Sequence, residues 1–167
     1  MKFSKFLRIK TLFLLISSQL LFNVTKANSA EEIKIIYSVF SRTIEVDSLK
    51  KFAKEGNSTK KLKRILNATG STDKEIRSVL NKDFEIPITI ASKLVYSELG
   101  NVVLTRLSSI IHTPRADDER TGMLALRASV VQGLNIGNGK INLVNFFEGY
   151  PTKTVIFRCQ RFEQSYE

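Results

Sequence analysis

The chain has very few of the residues that build cross-linked or reactive sites, with one cysteine, Cys159, and one histidine, His112, among 167 residues. A single cysteine excludes an intramolecular disulfide and a zinc site built from cysteines. The folded part must therefore be stabilised by burial of a core alone. About 135 residues are enough for that, since domains near this size bury roughly two-thirds of their surface.

The nucleophile motif of alpha/beta hydrolases is also missing. These enzymes carry a serine on a sharp turn, usually as G-x-S-x-G, and no such string occurs in the chain. A serine–histidine–acid triad can be drawn from Ser108 or Ser109, His112, and Asp117 or Asp118. His112, however, follows the last turn of a predicted helix, where a histidine interacts favourably with the helix dipole. We therefore predict no catalytic residue.

Phosphate-binding and metal-binding motifs are absent as well. The pair Gly139-Lys140 resembles the end of a phosphate loop, but Ile141 stands where a serine or threonine must bind magnesium. We expect a turn at this position. The sequence thus predicts no metal site and no cofactor.

Acidic residues are absent from the first thirty positions, which contain five basic ones. A basic segment at 1–10 precedes an apolar run at 11–24, and small residues follow, which is the order of a secretory signal. We expect a signal peptide at 1–29, cleaved after Ser29 or after Ala27, and export to the periplasm, the thylakoid lumen or the outside of the cell. The alternative is a membrane anchor, although an apolar run of about 14 residues is shorter than the roughly 20 that span a bilayer.

Half of the net charge of +10 belongs to that segment. Residues 31–167 keep 21 of the 26 basic residues against all 16 acidic ones, a net charge of +5. Nucleic-acid-binding domains usually carry a stronger and more concentrated excess, so we expect no nucleic-acid partner. One basic run remains within 15 positions: Lys50, Lys51, Lys54, Lys60, Lys61, Lys63 and Arg64. It is either a patch for an anionic membrane surface or an ordinary solvated face.

The apolar spacing predicts a single domain at 30–160, with a tail at 161–167. Its class is α+β and mostly helical, with six to seven short helices and a small antiparallel sheet. Residues 33–46 favour two short strands, and 152–159 a third that pairs with them and brings the two ends of the domain together. Apolar residues at i, i+3 and i+4 predict three helices after the first strands. Their inward stripes are Leu49, Phe52 and Ala53; Leu62, Ile65 and Leu66; and Ile76, Val79 and Leu80.

Local signals place the ends of these elements. Asp47 is expected to cap the first helix, and Thr72 with Glu75 forms a capping box for the third. Four more helices are predicted after residue 87, separated by a loop at 112–122 that ends in a helix start and by a turn at 135–140. The first is 88–96, with Ile90, Leu94 and Val95 facing inward. The second is 98–111, with a broad apolar face of Leu99, Val102, Val103, Leu107 and Ile110. The third is the buried helix at 123–134, and the fourth is 141–150, for which a strand is the alternative.

Four segments, at 30–56, 84–111, 122–131 and 141–157, carry a family resemblance through variants such as Tyr96-Ser97-Glu98-Leu99-Gly100 and Tyr150-Pro151-Thr152. In this order they resemble a cyanobacterial family, domain of unknown function 1400, whose members carry an alpha/beta-hydrolase label. The resemblance implies a domain that precedes a hydrolase domain in longer chains. We expect the label to describe that neighbouring domain, because the matching motifs contain no catalytic residue.

These observations predict an exported accessory or interaction domain that binds a separate envelope protein, such as a hydrolase. The alternatives are a hydrolase, as the family label implies, and a peripheral membrane-surface binder that uses Lys50–Arg64. A protein partner requires an apolar outer surface. Six apolar residues on the helices at 88–96 and 141–148, or just after them, exceed what one inward stripe needs: Ile88, Val95, Tyr96, Phe146, Phe147 and Tyr150. Alternatively, these six complete the core.

Overall fold

The computed structural model describes residues 29–37, 40–68, 70–114 and 118–159. The predicted signal peptide, apart from Ser29, and the predicted tail at 161–167 lie outside these residues. Within them the chain forms seven helices and six strands. The predicted class, α+β and mostly helical, is confirmed.

Two strands open the described chain, β1 at Glu32–Tyr37 and β2 at Phe40–Glu45. Their β-branched residues favour an extended backbone, and the strands pair antiparallel with Ile33 opposite Ile44. Both isoleucines are buried, so one face of the pair lies on the core. The predicted strand pair is confirmed, and its connection at 38–39 lies outside the described residues.

The last strand, β6 at Thr154–Cys159, joins β4 at Ile111–His112 to make a four-stranded sheet in the order β2-β1-β6-β4. Because β6 is parallel to β1 and antiparallel to β4, the prediction of an all-antiparallel sheet is wrong. The chain enters β6 beside the start of β1, where the N–H groups of Glu31 and Glu32 both donate to the Lys153 carbonyl. The two ends of the domain therefore lie at opposite ends of the sheet, and the prediction that they meet is also wrong.

Three helices follow β2: α1 at Val46–Glu55, α2 at Lys60–Asn67 and α3 at Asp73–Leu80. The predicted capping box forms, and the Thr72 N–H donates to Glu75 Oε2 at 2.8 Å. Gly56 ends α1 with a φ of 79°, a left-handed conformation that glycine adopts without a steric penalty. The prediction that Asp47 caps α1 is wrong, because the helix starts at Val46 and Asp47 therefore lies inside its first turn. Glu45 holds the cap position, and its carboxylate accepts a hydrogen bond from the Ser48 hydroxyl at 3.0 Å and none from a backbone N–H of the helix.

The other four helices are α4 at Ile88–Val95, α5 at Glu98–Ser108, α6 at Glu119–Ile136 and α7 at Leu143–Glu148. Helix α6 contacts α4, α5 and α7 and the strands β4 and β5. Its Leu126 and Leu134 are fully buried, so the prediction of a central buried helix is confirmed. It starts inside the predicted loop at 112–122, because Asp118 caps it by accepting a hydrogen bond from the Thr121 N–H. The alternative prediction of a strand at 141–150 is wrong for residues 143–148, because these residues form the helix α7.

The short strands β3, Phe84–Glu85, and β5, Lys140–Ile141, pair antiparallel. The sequence predicted a turn at 135–140, which includes Lys140, and no strand at 84–85. The backbone at Asn138 and Gly139 is left-handed, with φ values of 52° and 89°, so the chain reverses sharply after α6. An ion pair with an N–O distance of 2.6 Å between Lys140 and Glu85 joins the two strands.

Candidate interaction surface

Helices α4 and α5 meet through a glycine. A Cβ atom at Gly100 would lie 2.1 Å from the carbonyl oxygen of Leu94. Only glycine therefore lets the first turn of α5 come this close to the end of α4. Ser97, between the helices, caps α5 because its hydroxyl accepts a hydrogen bond from the Gly100 N–H at 3.0 Å. The two helices are tightly joined.

The buried side of α5 is the side that carries its small residues. Gly100, Leu104 and Ser108 are spaced four apart and are all buried. A Cβ atom at Gly122 of α6 would lie 2.8 Å from the Ser108 Cβ, so α5 and α6 approach closely at this point. The distance between packed helices depends on the side chains at their contact. Small residues on this side permit the close packing.

Most of the larger apolar side chains of α4 and α5, other than Val95 and Leu104, therefore face solvent. Six of them are between 38% and 66% exposed and make up what we call the outer apolar face: Ile90, Leu94, Leu99, Val102, Val103 and Leu107. The prediction that Ile90 and Leu94 face inward is wrong, because Ala91 and Val95 form the buried stripe of α4. The predicted broad apolar face of α5 exists, but α5 packs through its opposite side. The spacing of the apolar residues did not identify this exposed surface. The row of Gly100, Leu104 and Ser108, which marks the buried side of α5, can nevertheless be seen in the sequence.

A buried arginine of α6 contacts both α4 and α5. Arg127 of α6 donates from Nε to the Val95 carbonyl oxygen at 2.8 Å and from Nη2 to the side chain of Asn101. Its guanidinium also lies 4.8 Å from the ring centre of Tyr96. Among the described residues it pairs with no carboxylate. Its charge instead lies at the negative end of α4, where a cation is favourable.

The six residues of the predicted partner surface fall in three places. Val95, Phe147 and Tyr150 are buried, so they are core residues and cannot contact a partner in this fold. The Tyr150 hydroxyl is buried without a hydrogen-bond partner, and burial raises the pKa of Tyr150. Ile88 and Tyr96 are exposed near the two ends of α4.

The sixth residue, Phe146, is half-buried and lines an apolar groove outside the outer apolar face. The groove lies between the end of α3, β3 and the start of α7. Val79, predicted to face inward, is 58% exposed in this groove. The prediction for Val79 is wrong because Leu80 takes the buried position at the end of α3. The Lys82 ammonium lies over the Phe84 ring at 5.5 Å from its centre, at the edge of the groove.

The basic run divides into one structural lysine and an exposed remainder. Lys50 forms an ion pair and hydrogen bond with Glu148, which links α1 to α7. It is therefore part of the packing between these helices. The other six basic residues are exposed, and the described residues provide no ion pair for any of them. These six are Lys51, Lys54, Lys60, Lys61, Lys63 and Arg64.

The groups of the hypothetical triad have structural hydrogen bonds. The Ser108 hydroxyl donates to the Thr105 carbonyl oxygen at 2.6 Å, and the Ser109 hydroxyl donates within the same helix end. His112 Nδ1 lies 3.0 Å from the Thr113 carbonyl oxygen, and its Nε2 is buried without a partner. Asp117 lies outside the described residues, and Asp118 caps α6. None of these hydrogen bonds joins a serine to the histidine.

Over the described ranges, the histidine, cysteine, aspartate and glutamate side chains form no group of three that could hold a metal ion. No helix in the same part of the chain has the length and apolar character to cross a membrane.

The chain was compared with known proteins and protein families. One family model, described as alpha/beta hydrolase of unknown function, matches residues 29–157. The match therefore extends over both sheets, all seven helices and the outer apolar face. Comparisons with curated proteins and with solved structures give no match.

Proposed function

We propose a function from one premise: the chain belongs to the family described as alpha/beta hydrolase of unknown function, through residues 29–157. Within that family, this domain is an accessory module that binds another protein and performs no catalysis itself. The binding site is the outer apolar face of α4 and α5.

The solvent exposure of that face carries the proposal. Large apolar side chains scattered singly over a surface are ordinary, but a contiguous group of them marks an interaction site. Here six lie on two consecutive helices, and Leu99 is 66% exposed. The buried side of α5 carries Gly100 and Ser108 on either side of Leu104. Leaving leucines and valines in water while burying small residues has no advantage for an isolated domain, and a docked partner would remove the cost.

Crosslinking in the native cell tests the proposal. A photoreactive residue at Val103 should capture a partner protein, because this position lies within the outer apolar face. The same residue at Lys51, on the exposed side of α1, is the control. Mass spectrometry should recover a partner only from Val103, and Leu99→Ser should reduce its yield. Equal recovery from both positions, or from neither, would contradict the proposal.

The non-catalytic part of the proposal rests on the hydrogen bonds near His112. The serine hydroxyls donate to backbone carbonyls, so they serve helix ends. If the domain is instead a hydrolase, the purified chain should turn over short-chain nitrophenyl esters, and His112→Ala should abolish the turnover. We expect no turnover above the buffer rate.

We further propose that the protein is exported and that its first 29 residues are the signal. The basic, apolar and small-residue order of that segment supports this. N-terminal sequencing of the protein from its native cell should begin at Ala30, or at Asn28 if cleavage follows Ala27. A chain that keeps Met1 and sediments with membranes would favour the anchored alternative.

A second candidate function is binding to an anionic membrane surface through α1 and α2. It is favoured by six exposed basic side chains without ion pairs among the described residues. Flotation with anionic vesicles should weaken as salt rises, because exposed charges are screened beyond about 10 Å at 0.1 M salt. Replacing Lys60, Lys61 and Lys63 by glutamine should remove the binding. Binding that resists both changes would exclude this candidate.

A further inference from the structure

Two opposite charges border the outer apolar face on α5. Glu98 and Arg106 are eight residues apart, with Val102 midway between them. Residues four apart lie on one side of a helix, so the three form one row beside a second row of Leu99, Val103 and Leu107. All six are exposed. Neither Glu98 nor Arg106 has an ion-pair partner among the described residues.

The positions of these charges are symmetric about Val102. With a rise of 1.5 Å per residue, each lies about 6 Å from Val102 along the helix axis. A second α5 helix, antiparallel to the first and related to it by a two-fold axis at Val102, brings Glu98 of each copy level with Arg106 of the other. The apolar rows of the two helices then face each other between two ion pairs. A surface with this property is complementary to itself.

We propose that the occupant of the outer apolar face is a second copy of this chain, in a two-fold symmetric dimer built on antiparallel α5 helices. This inference rests on the proposed function, because it names the partner of the same face. Ile90 and Leu94 extend the contact onto α4. Specific interfaces usually bury about 800 Å² on each partner, so both helices are required. Two-fold dimers are the most common symmetric oligomers.

The charges favour a second copy over a lipid surface. An anionic bilayer attracts Arg106, and Lys93 at the edge of the face, but it repels Glu98. The strongest concentration of basic residues lies on α1 and α2, on other elements of the fold. A second copy, by contrast, neutralises Glu98 and Arg106 together.

Charge reversal and exchange test the dimer. Sedimentation equilibrium of the purified full chain should show a dimer. Glu98→Arg alone, and Arg106→Glu alone, should each weaken it about tenfold or more, because two ion pairs become two like-charge contacts. The chain that carries both changes should dimerise like the wild type. Lys51→Glu, a reversal on α1, should leave the dissociation constant unchanged, and circular dichroism should show the same helix content throughout.

Each other outcome has a defined meaning. A wild-type chain that is monomeric at every concentration, or a dimer that is indifferent to the single reversals, overturns the second-copy proposal. So does failure of the double reversal to restore the dimer, or binding of the monomer to anionic vesicles that Leu99→Ser removes. If the chain is monomeric but Val103 crosslinks to a different protein, only the second-copy proposal fails. If it is monomeric and Val103 captures nothing, the proposed function fails as well.

Discussion

Helices α1–α3 and helices α4–α5 bury different kinds of side chain. In the first group the apolar stripes face the core except at Val79, with Phe52 completely buried, and lysines and an arginine cover the outside. In the second group glycine, alanine and serine join the buried positions, while leucines, valines and two isoleucines face water. Both groups are amphipathic in sequence. The side of a helix that packs is therefore decided by how closely its neighbours must approach as well as by its apolar content.

The largest difference in stability is expected when a leucine is truncated to alanine on the buried side and on the exposed side of α5. Leu104→Ala should lower the free energy of unfolding by about 2–5 kcal/mol, since it leaves a cavity in the core. Leu99→Ala should change it by less than about 0.5 kcal/mol, as surface substitutions usually do. Chemical denaturation at concentrations low enough to keep the chain monomeric measures both. Similar losses would show that α5 does not pack through its small side.

The contact of Gly100 with α4 gives the next largest effect. Alanine is a better helix former than glycine by about 1 kcal/mol, so Gly100→Ala would stabilise an isolated α5. We expect a loss of about 1–3 kcal/mol instead, because the new Cβ atom forces α4 and α5 apart. Thermal or chemical denaturation measures the difference. Ser78→Ala, at an exposed position of α3, is the control and should change stability by less than about 0.5 kcal/mol; a stabilised Gly100→Ala chain would mean that the helices are not in close contact.

Two neighbouring lysines of α1 differ in the same way, since Lys50 is paired with Glu148 and Lys51 is exposed. Lys50→Met should cost about 1–3 kcal/mol, because it leaves the largely buried carboxylate of Glu148 without its partner. Lys51→Met, one residue further on the exposed side, should be nearly neutral. Denaturation of the two variants under identical conditions separates a structural lysine from a solvated one. Equal effects on the free energy of unfolding would mean that Lys50 is solvated like the six exposed basic residues of α1 and α2.

The smallest effect concerns two helix caps that should behave alike, Thr72–Glu75 on α3 of the first group and Asp118 on α6, which lies outside both groups. Hydrogen bonds from the Thr72 N–H and hydroxyl lower the pKa of Glu75 below its ordinary value of 4.5, and hydrogen bonds from Thr121 lower the pKa of Asp118 below 3.8. A folded-state pKa below the unfolded value gives stability that is present above the unfolded pKa and is lost as the pH falls through the folded pKa. In Glu75→Gln the free energy of unfolding should therefore fall less steeply as the pH drops below 4.5, and in Asp118→Asn it should do so below pH 3.8. An unchanged slope at acid pH would contradict the cap assignments.

Features fixed by local chemistry could be predicted from the sequence. The Thr72–Glu75 box, the left-handed end of α1 at Gly56 and the strand pair at 32–45 all depend on residues a few positions apart. The buried helix α6 was predictable for a similar reason, because a run that is apolar on nearly all sides has only one stable place in a domain.

Features that depend on distant parts of the chain could not be predicted. The ion pair between Lys50 and Glu148 joins positions 98 residues apart, and nothing near either residue indicates the other. The parallel direction of β6 depends on the end of the sheet at which the chain arrives after passing through the helices α1–α7. The orientation of α5 depends on contacts of Gly100 and Ser108 with two other helices. The candidate site was missed for this last reason, since apolar spacing identifies a stripe without saying whether it faces in or out.

The parallel pairing of β1 and β6 has a mechanical consequence. Segments attached before β1 and after β6 leave the sheet at opposite ends, about 20 Å apart for six paired residues. Tension applied through both attachments slides one strand along the other. The evenly spaced hydrogen bonds of a parallel pair then share the load and must yield together, whereas strands pulled apart from one end would separate one bond at a time. Tension along this line would therefore load the β1–β6 pair in shear over its whole length.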